Sequence, residues 1–149
     1  MATGQTMRPR VMVIDEDLLF SIRIETTLKK LGYEVYVTKN PEEALSIAQE
    51  DRLSLTILNY GREALNPLDT TAKLKALLQP APILGFLSHK LIPDIRVAAR
   101  EAGCDLLVAN SALVMRLPQL VARLAPLDGS VAQIVEAEEL AEEPEGKSP

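Results

Sequence analysis

The amino-acid sequence predicts an α/β fold, five strands alternating with five helices as a doubly wound (βα)5 parallel sheet. Three observations carry that prediction. Five short runs rich in Val, Ile and Leu recur along the chain, most of them nearly continuous in apolar residues, as strands covered on both faces require. The stretches between them show helix caps and apolar residues at helical spacing. Alternation of the two kinds of segment favours crossovers that place helices on both faces of one sheet.

The first run, RVMVID (10–15), leads into Asp15, Glu16 and Asp17, which stand before the first helix. Lys29 and Lys30 followed by Gly32 mark the stop of that helix. YEVYVT (33–38) is the second strand. Asn40 then caps a helix that has Pro41 at its first position and Glu43 reaching back, a box-like start. LSLTILN (53–59) is the third strand and delivers Asn59 to its carboxyl end, and APILGFLS (81–88) is the fourth, ending in Ser88 and His89. Ile92, Ile95, Ala99 and Ala102 form an apolar stripe that stops at Gly103. CDLLVAN (104–110) is the fifth strand and ends in Asn110 and Ser111. Leu113, Leu117, Leu120, Val121 and Leu124 form a second stripe, in which Pro118 either kinks the helix or occupies the first turn of one beginning near Leu117.

At 149 residues, 47% hydrophobic and 25% charged, the chain is one globular domain and not a disordered polymer. We expect a flexible N-terminus over 1–8, a folded body over 9–127 and an acidic tail over 128–149. The tail includes SVAQIVEAEELAEE, which can extend a helix, but its glutamates and the closing PEGKSP favour a solvated end. The formal charge of −5 belongs to that tail: seven acids from Asp128 onward stand against Lys147, which leaves the body near neutral. A near-neutral body gives no electrostatic reason to expect nucleic acid. Cys104, the single cysteine, excludes an internal disulfide and reads as a small buried apolar residue rather than a reactive thiol. MATGQTMRPR lacks the apolar core of a signal peptide and no run is long enough to span a bilayer, so the expectation is a cytoplasmic protein without membrane contact.

In open α/β sheets, sites form beyond the carboxyl ends of the strands. Asp15, Glu16, Asp17, Asn59, Ser88, His89, Asn110 and Ser111 all fall there. Their bland readings are real: the three acids can serve the start of the first helix, and Asn59 can be a turn residue.

On VMVIDED, LTILN, APILGFLS and AREAGCDLLVANS, taken in that order, the chain resembles the receiver domain of bacterial two-component response regulators from about Arg10 to Leu127. The resemblance implies a CheY-like sheet of order 2-1-3-4-5 and a place in phosphorelay signalling. It also implies a phosphoacceptor aspartate ending strand three, Mg2+ on the strand-one acids, a hydroxyl after strand four and a lysine after strand five. This sequence keeps Asp15, Glu16 and Ser88 but has Asn59 at the acceptor position and Asn110 at the lysine position. Breaking a buried ion pair on one side typically costs about 3–5 kcal/mol, whereas two amides can bond to each other or to backbone. The loop YGREALNP lacks the family's Met-Pro pair, and the aromatic switch position is Leu107.

The resemblance therefore implies a degenerate receiver: a stand-alone interaction module, not an enzyme, with no cofactor beyond weak Mg2+ on Asp15 and Glu16. Its partner would be another protein, or a second copy through the fourth helix, fifth strand and fifth helix, where Arg96, Arg100, Leu107 and Arg116 fall, with Arg123 further along. The plain alternative for those arginines is a solvated face. An enzyme or cofactor binder on a flavodoxin-like scaffold is the competing reading, but IDEDLL offers no glycine-rich phosphate cradle. A Ser88–His89 hydrolase has no GxSxG elbow to support it.

Overall fold

Residues whose backbones pair on both sides and whose side chains are apolar on both faces build the centre of this protein. The computed structural model describes residues 8–128; the readings for the N-terminal residues and for the acidic stretch after Asp128 lie outside them. Strands β1 (Arg10–Ile14), β2 (Glu34–Thr38), β3 (Leu55–Asn59), β4 (Ile83–Leu87) and β5 (Leu106–Ala109) form one parallel sheet in the order β2-β1-β3-β4-β5. Helices α1 (Leu18–Leu31), α2 (Pro41–Glu50), α3 (Pro67–Lys75), α4 (Ile92–Ala102) and α5 (Asn110–Leu124) connect them. All residues of β3, β4 and β5 are buried, which explains their unbroken apolar character. None of the described helices is long and apolar enough to cross a membrane.

The helix ends follow the chemistry of their caps. Asp17 accepts the Phe20 amide at 3.1 Å and opens α1. Gly32 and Gly103 close α1 and α4 at φ 107° and 112°, the left-handed conformation that only glycine adopts without strain. Asn40 caps α2 through Glu42 N at 2.8 Å and Glu43 N at 3.2 Å. The expected direct return from Glu43 is replaced by a relay: Asn40 N donates to Thr38 Oγ1, and the Thr38 hydroxyl donates to the Glu43 carboxylate. Both readings of Pro118 hold in α5. Arg116 leaves helical geometry at φ −121° and ψ 19°, and Pro118 sits in the first turn of the segment beyond.

Four runs shorten at their amino ends: Tyr33 precedes β2, Leu53 and Ser54 precede β3, Ala81 and Pro82 precede β4, and Cys104 and Asp105 precede β5. Asp105 closes this edge with its side chain, accepting Ile83 N and Lys75 Nζ, each at 2.8 Å. At the same edge the Tyr33 hydroxyl donates to Ala125 O at 2.8 Å, anchoring the end of α5 beside β2. Within the core, Phe20 packs on Phe86 with ring centroids 5.4 Å apart. The ring of Tyr60 lies across Gly85, where an added Cβ would meet it at 2.7 Å, and the Tyr60 and Thr71 hydroxyls are hydrogen-bonded. Strand four thus has no side chain at its centre because the residue after strand three fills that space.

Candidate functional site

Parallel pairing brings the carboxyl ends of all five strands to one rim. Ile14 pairs with Leu58, so Asp15 and Asn59, each one residue further on, become neighbours. Asn59 Nδ2 donates to Asp15 Oδ1 at 2.9 Å, and Asn59 Oδ1 accepts from Gly61 N at 2.8 Å. The bonding fixes the amide's orientation: reversing it would set its oxygen against a carboxylate and its NH2 against a backbone N–H. Asp15 Oδ1 also accepts from Asp17 N at 3.0 Å. Its other oxygen, Oδ2, is buried and without a hydrogen-bond partner. Asp15 is only 2% exposed and Asn59 9%.

Burial is the largest influence on Asp15 and pushes its carboxyl above the ordinary carboxylate range. The Asp17 amide and the Asn59 side chain oppose that shift, the Asp17 charge adds to it, and the Arg62 charge opposes it. Arg62 reaches Asp17 across the mouth of the pocket, with Nη2 3.6 Å from Oδ2. Both side chains are partly exposed, so the pair is worth at most about 1 kcal/mol.

Of the residues read from sequence, the structure brings Asp15 and Asn59 into contact. Glu16 is exposed beside them, and Asp17 takes the capping role that the bland reading assigned to the acidic turn. Ser88 lies at the end of β4 and is exposed, with no capping bond from its side chain, and His89 beside it is exposed too. Asn110 is the first residue of α5 and is exposed. The contact between two amides is not made; Asn59 takes the backbone alternative at Gly61 and adds a carboxylate.

Leu107 needs correction as an interaction-face residue. It is 3% exposed, because β5 is covered on both faces, and it packs beneath the surface instead of forming it. Arg96 and Arg100 lie on α4 and Arg116 on α5. Cys104 is buried, its thiol pushed up to about 11 by that burial, as a packing residue would be.

Three residues of this site escaped the sequence reading: Tyr60, Gly61 and Arg62. Burial pushes the Tyr60 phenol up, and its hydroxyl ties β3 to α3 through Thr71. The signal available was the tripeptide itself, an aromatic ring, a bare amide and a cation placed directly after the polar end of a buried strand.

Mg2+ requires oxygen ligands in near-octahedral geometry. Asn59 turns its nitrogen to Asp15 and commits its oxygen to Gly61. No group of three His, Cys, Asp or Glu side chains able to hold a metal occurs among the described residues. Asp15 Oδ2 has no hydrogen-bond partner but is buried, and Glu16 beside it is exposed; two carboxylates without a third side-chain oxygen do not make a site that fits Mg2+ as the pocket is built.

No family model matches the chain. Transcriptional regulatory protein PrrA of Mycobacterium tuberculosis is 32% identical over 132 residues, which cover 89% of this chain and 56% of that protein. Response regulator MprA of Mycolicibacterium vanbaalenii is 27% identical over 128 residues, covering 83% and 55%. The chain therefore spans little more than half the length of the curated relatives it matches. Among solved structures, the chemotaxis response regulator CheY4 of Vibrio cholerae has a TM-score of 0.66 at 19% identity, covering 76% of this chain and 98% of that one. The receiver domain of the response regulator Ssk1 of Saccharomyces cerevisiae, solved with the histidine phosphotransfer protein Ypd1, has a TM-score of 0.71 at 15% identity, covering 83% and 93%.

Proposed function

This chain carries a response-regulator receiver domain, and on that premise we propose that the domain signals by protein contact without being phosphorylated. One observation supports the reading above others: the position for the phosphoacceptor holds Asn59, whose amide is bonded on both sides, to Asp15 and to Gly61 N. An amide nitrogen shares its lone pair with the carbonyl and makes a poor nucleophile. Phosphoryl transfer also needs positive charge near the oxygens that gain negative charge. Asn110 supplies none, and Arg62 is turned toward Asp17.

The partner in this reading is another protein, or a second copy docking through α4, β5 and α5. In the Ssk1 complex the receiver is bound to a phosphotransfer protein, which is an instance of such a contact in a relative of the same fold. The curated relatives extend well beyond the matched stretch, so a stand-alone arrangement forms no part of the proposal.

The test is incubation of the full chain with acetyl phosphate and Mg2+, followed by intact mass measurement and light scattering. The expected outcome is unchanged mass and an oligomeric state indifferent to the phosphodonor. A stoichiometric phosphoryl adduct overturns the proposal.

A further inference from the structure

Helices α2 and α3 follow neighbouring parallel strands, start at the same rim and lie against each other. Between their first turns the structure leaves a cleft of about 420 Å3. That volume falls within the range of small-molecule sites, roughly 300–1,000 Å3. On the α3 side it is lined by Asn66, Asp69 and Lys73, which at i, i+3 and i+7 share one helix face. Lys39, Glu42 and Leu45 stand opposite. The charges come in opposite pairs, two ammonium groups and two carboxylates. Lys73 and Asp69 meet each other at 3.0 Å with both side chains more than half exposed, so their pair opens at little cost. Lys39 and the Glu42 carboxylate have no partner among the described residues. Asn40 commits its amide oxygen to capping α2, whereas the side chain of Asn66 makes no such bond to α3.

We infer that this cleft binds an aliphatic α-amino acid. A ligand with net negative charge is drawn by the two lysines but repelled by Glu42 and Asp69, and a cation meets the converse, so a lining of zero net charge favours neither. A zwitterion satisfies both signs. Its carboxylate pairs with Lys39 and its ammonium with Glu42, each through a charge-assisted hydrogen bond. Asn66 adds an amide that both donates and accepts. Leu45, partly buried on α2, offers an apolar wall to the ligand's side chain. None of the lining residues is aromatic, so a flat base or ring finds nothing to stack on, which separates an aliphatic ligand from a nucleoside. Neither Asp15 nor Asn59 lines the cleft. The inference is therefore independent of what happens at the acceptor position, and a bound amino acid gives the domain an input of its own.

The test is a titration of the full 15N-labelled chain with L-leucine, followed by NMR. Amides of Glu42, Leu45 and Asn66 are expected to shift and to saturate at millimolar ligand, while those of Val97 and Met115 on α4 and α5 stay in place. Two analogues keep the apolar part and one charge each: 4-methylpentanoate lacks the ammonium and 3-methylbutylamine lacks the carboxylate. Each should bind about tenfold more weakly than L-leucine, or worse, because one charge-assisted bond is gone. Lys39→Gln and Glu42→Gln, both at exposed positions, should each weaken L-leucine by about tenfold and leave the rest of the spectrum unchanged. Absence of saturable shifts with L-leucine, equal binding of either single-charge analogue, or full affinity in both variants overturns the inference.

Discussion

Asp15→Asn should stabilise this protein at neutral pH and lose that advantage as the solution is acidified. In the folded state Asp15 is almost fully buried, with two donors on Oδ1 and none on Oδ2. Asparagine keeps the accepting oxygen at the doubly bonded position and replaces the orphaned oxygen with a neutral NH2. The NH2 at that position is itself an unmet donor, so the gain is only the excess that a buried charge costs over a neutral polar group, about 2 kcal/mol. Weakening two hydrogen bonds from charge-assisted to neutral returns roughly 1 kcal/mol of that. The balance is a gain of about 1 kcal/mol, or roughly 4 °C in Tm for a domain of this size.

The pH dependence fixes the sign. Burial raises the folded carboxyl above its unfolded value, so the folded state holds a proton that the unfolded state has released. Wild-type stability from this group is fully present below the unfolded pKa and is lost as pH rises through the raised folded pKa. The difference between variant and wild type must therefore open from acid toward neutral and then level off. Urea denaturation of both proteins across that range, with and without Mg2+, measures it. A variant less stable than wild type at pH 8, or a difference that ignores pH, would refute the view of Asp15 as a buried, uncompensated acid.

Asn59→Asp should place two carboxylates in contact, lower stability by about 2–3 kcal/mol at neutral pH and make the urea midpoint Mg2+-dependent, yet yield little acyl phosphate because Asn110 is neutral; rapid, complete modification by acetyl phosphate would show that the missing cation matters little. Gly85→Ala should cost about 1–3 kcal/mol, since its methyl would meet the Tyr60 ring at 2.7 Å, and Tyr60→Leu in the same chain should recover part of that loss in a thermal melt. Asn40→Ala should cost about 1 kcal/mol by removing the acceptor for the Glu42 and Glu43 amides, read as a lowered urea midpoint without change in slope.

How far sequence reaches is visible residue by residue. The strands were legible because burial on both faces leaves an apolar signature, and the caps at Gly32, Asn40 and Gly103 because each requires a particular residue type. Strand starts fall one or two residues later than the apolar runs begin at Tyr33, Leu53, Ala81 and Cys104, because an apolar run does not mark where pairing in the ladder starts. Asp15 and Asn59 could be placed on one rim, but their contact depends on the register of Ile14 with Leu58, which periodicity does not carry. The Thr38 relay and the Tyr60–Thr71 bond are likewise tertiary, invisible to spacing along the chain. Leu107 went astray for a different reason: resemblance supplied a surface role for a residue whose own apolar character pointed inward.

The nested packing of Tyr60 on Gly85 constrains how this sequence can drift over generations. A side chain gained first at position 85 collides with the ring, and a ring lost first at position 60 leaves a void worth about 3–5 kcal/mol. With typical domain stability of only about 5–15 kcal/mol, either order passes through a weakened ancestor. The two positions should thus be inherited as a pair, and lineages that part with one should be those that first gathered stability somewhere else.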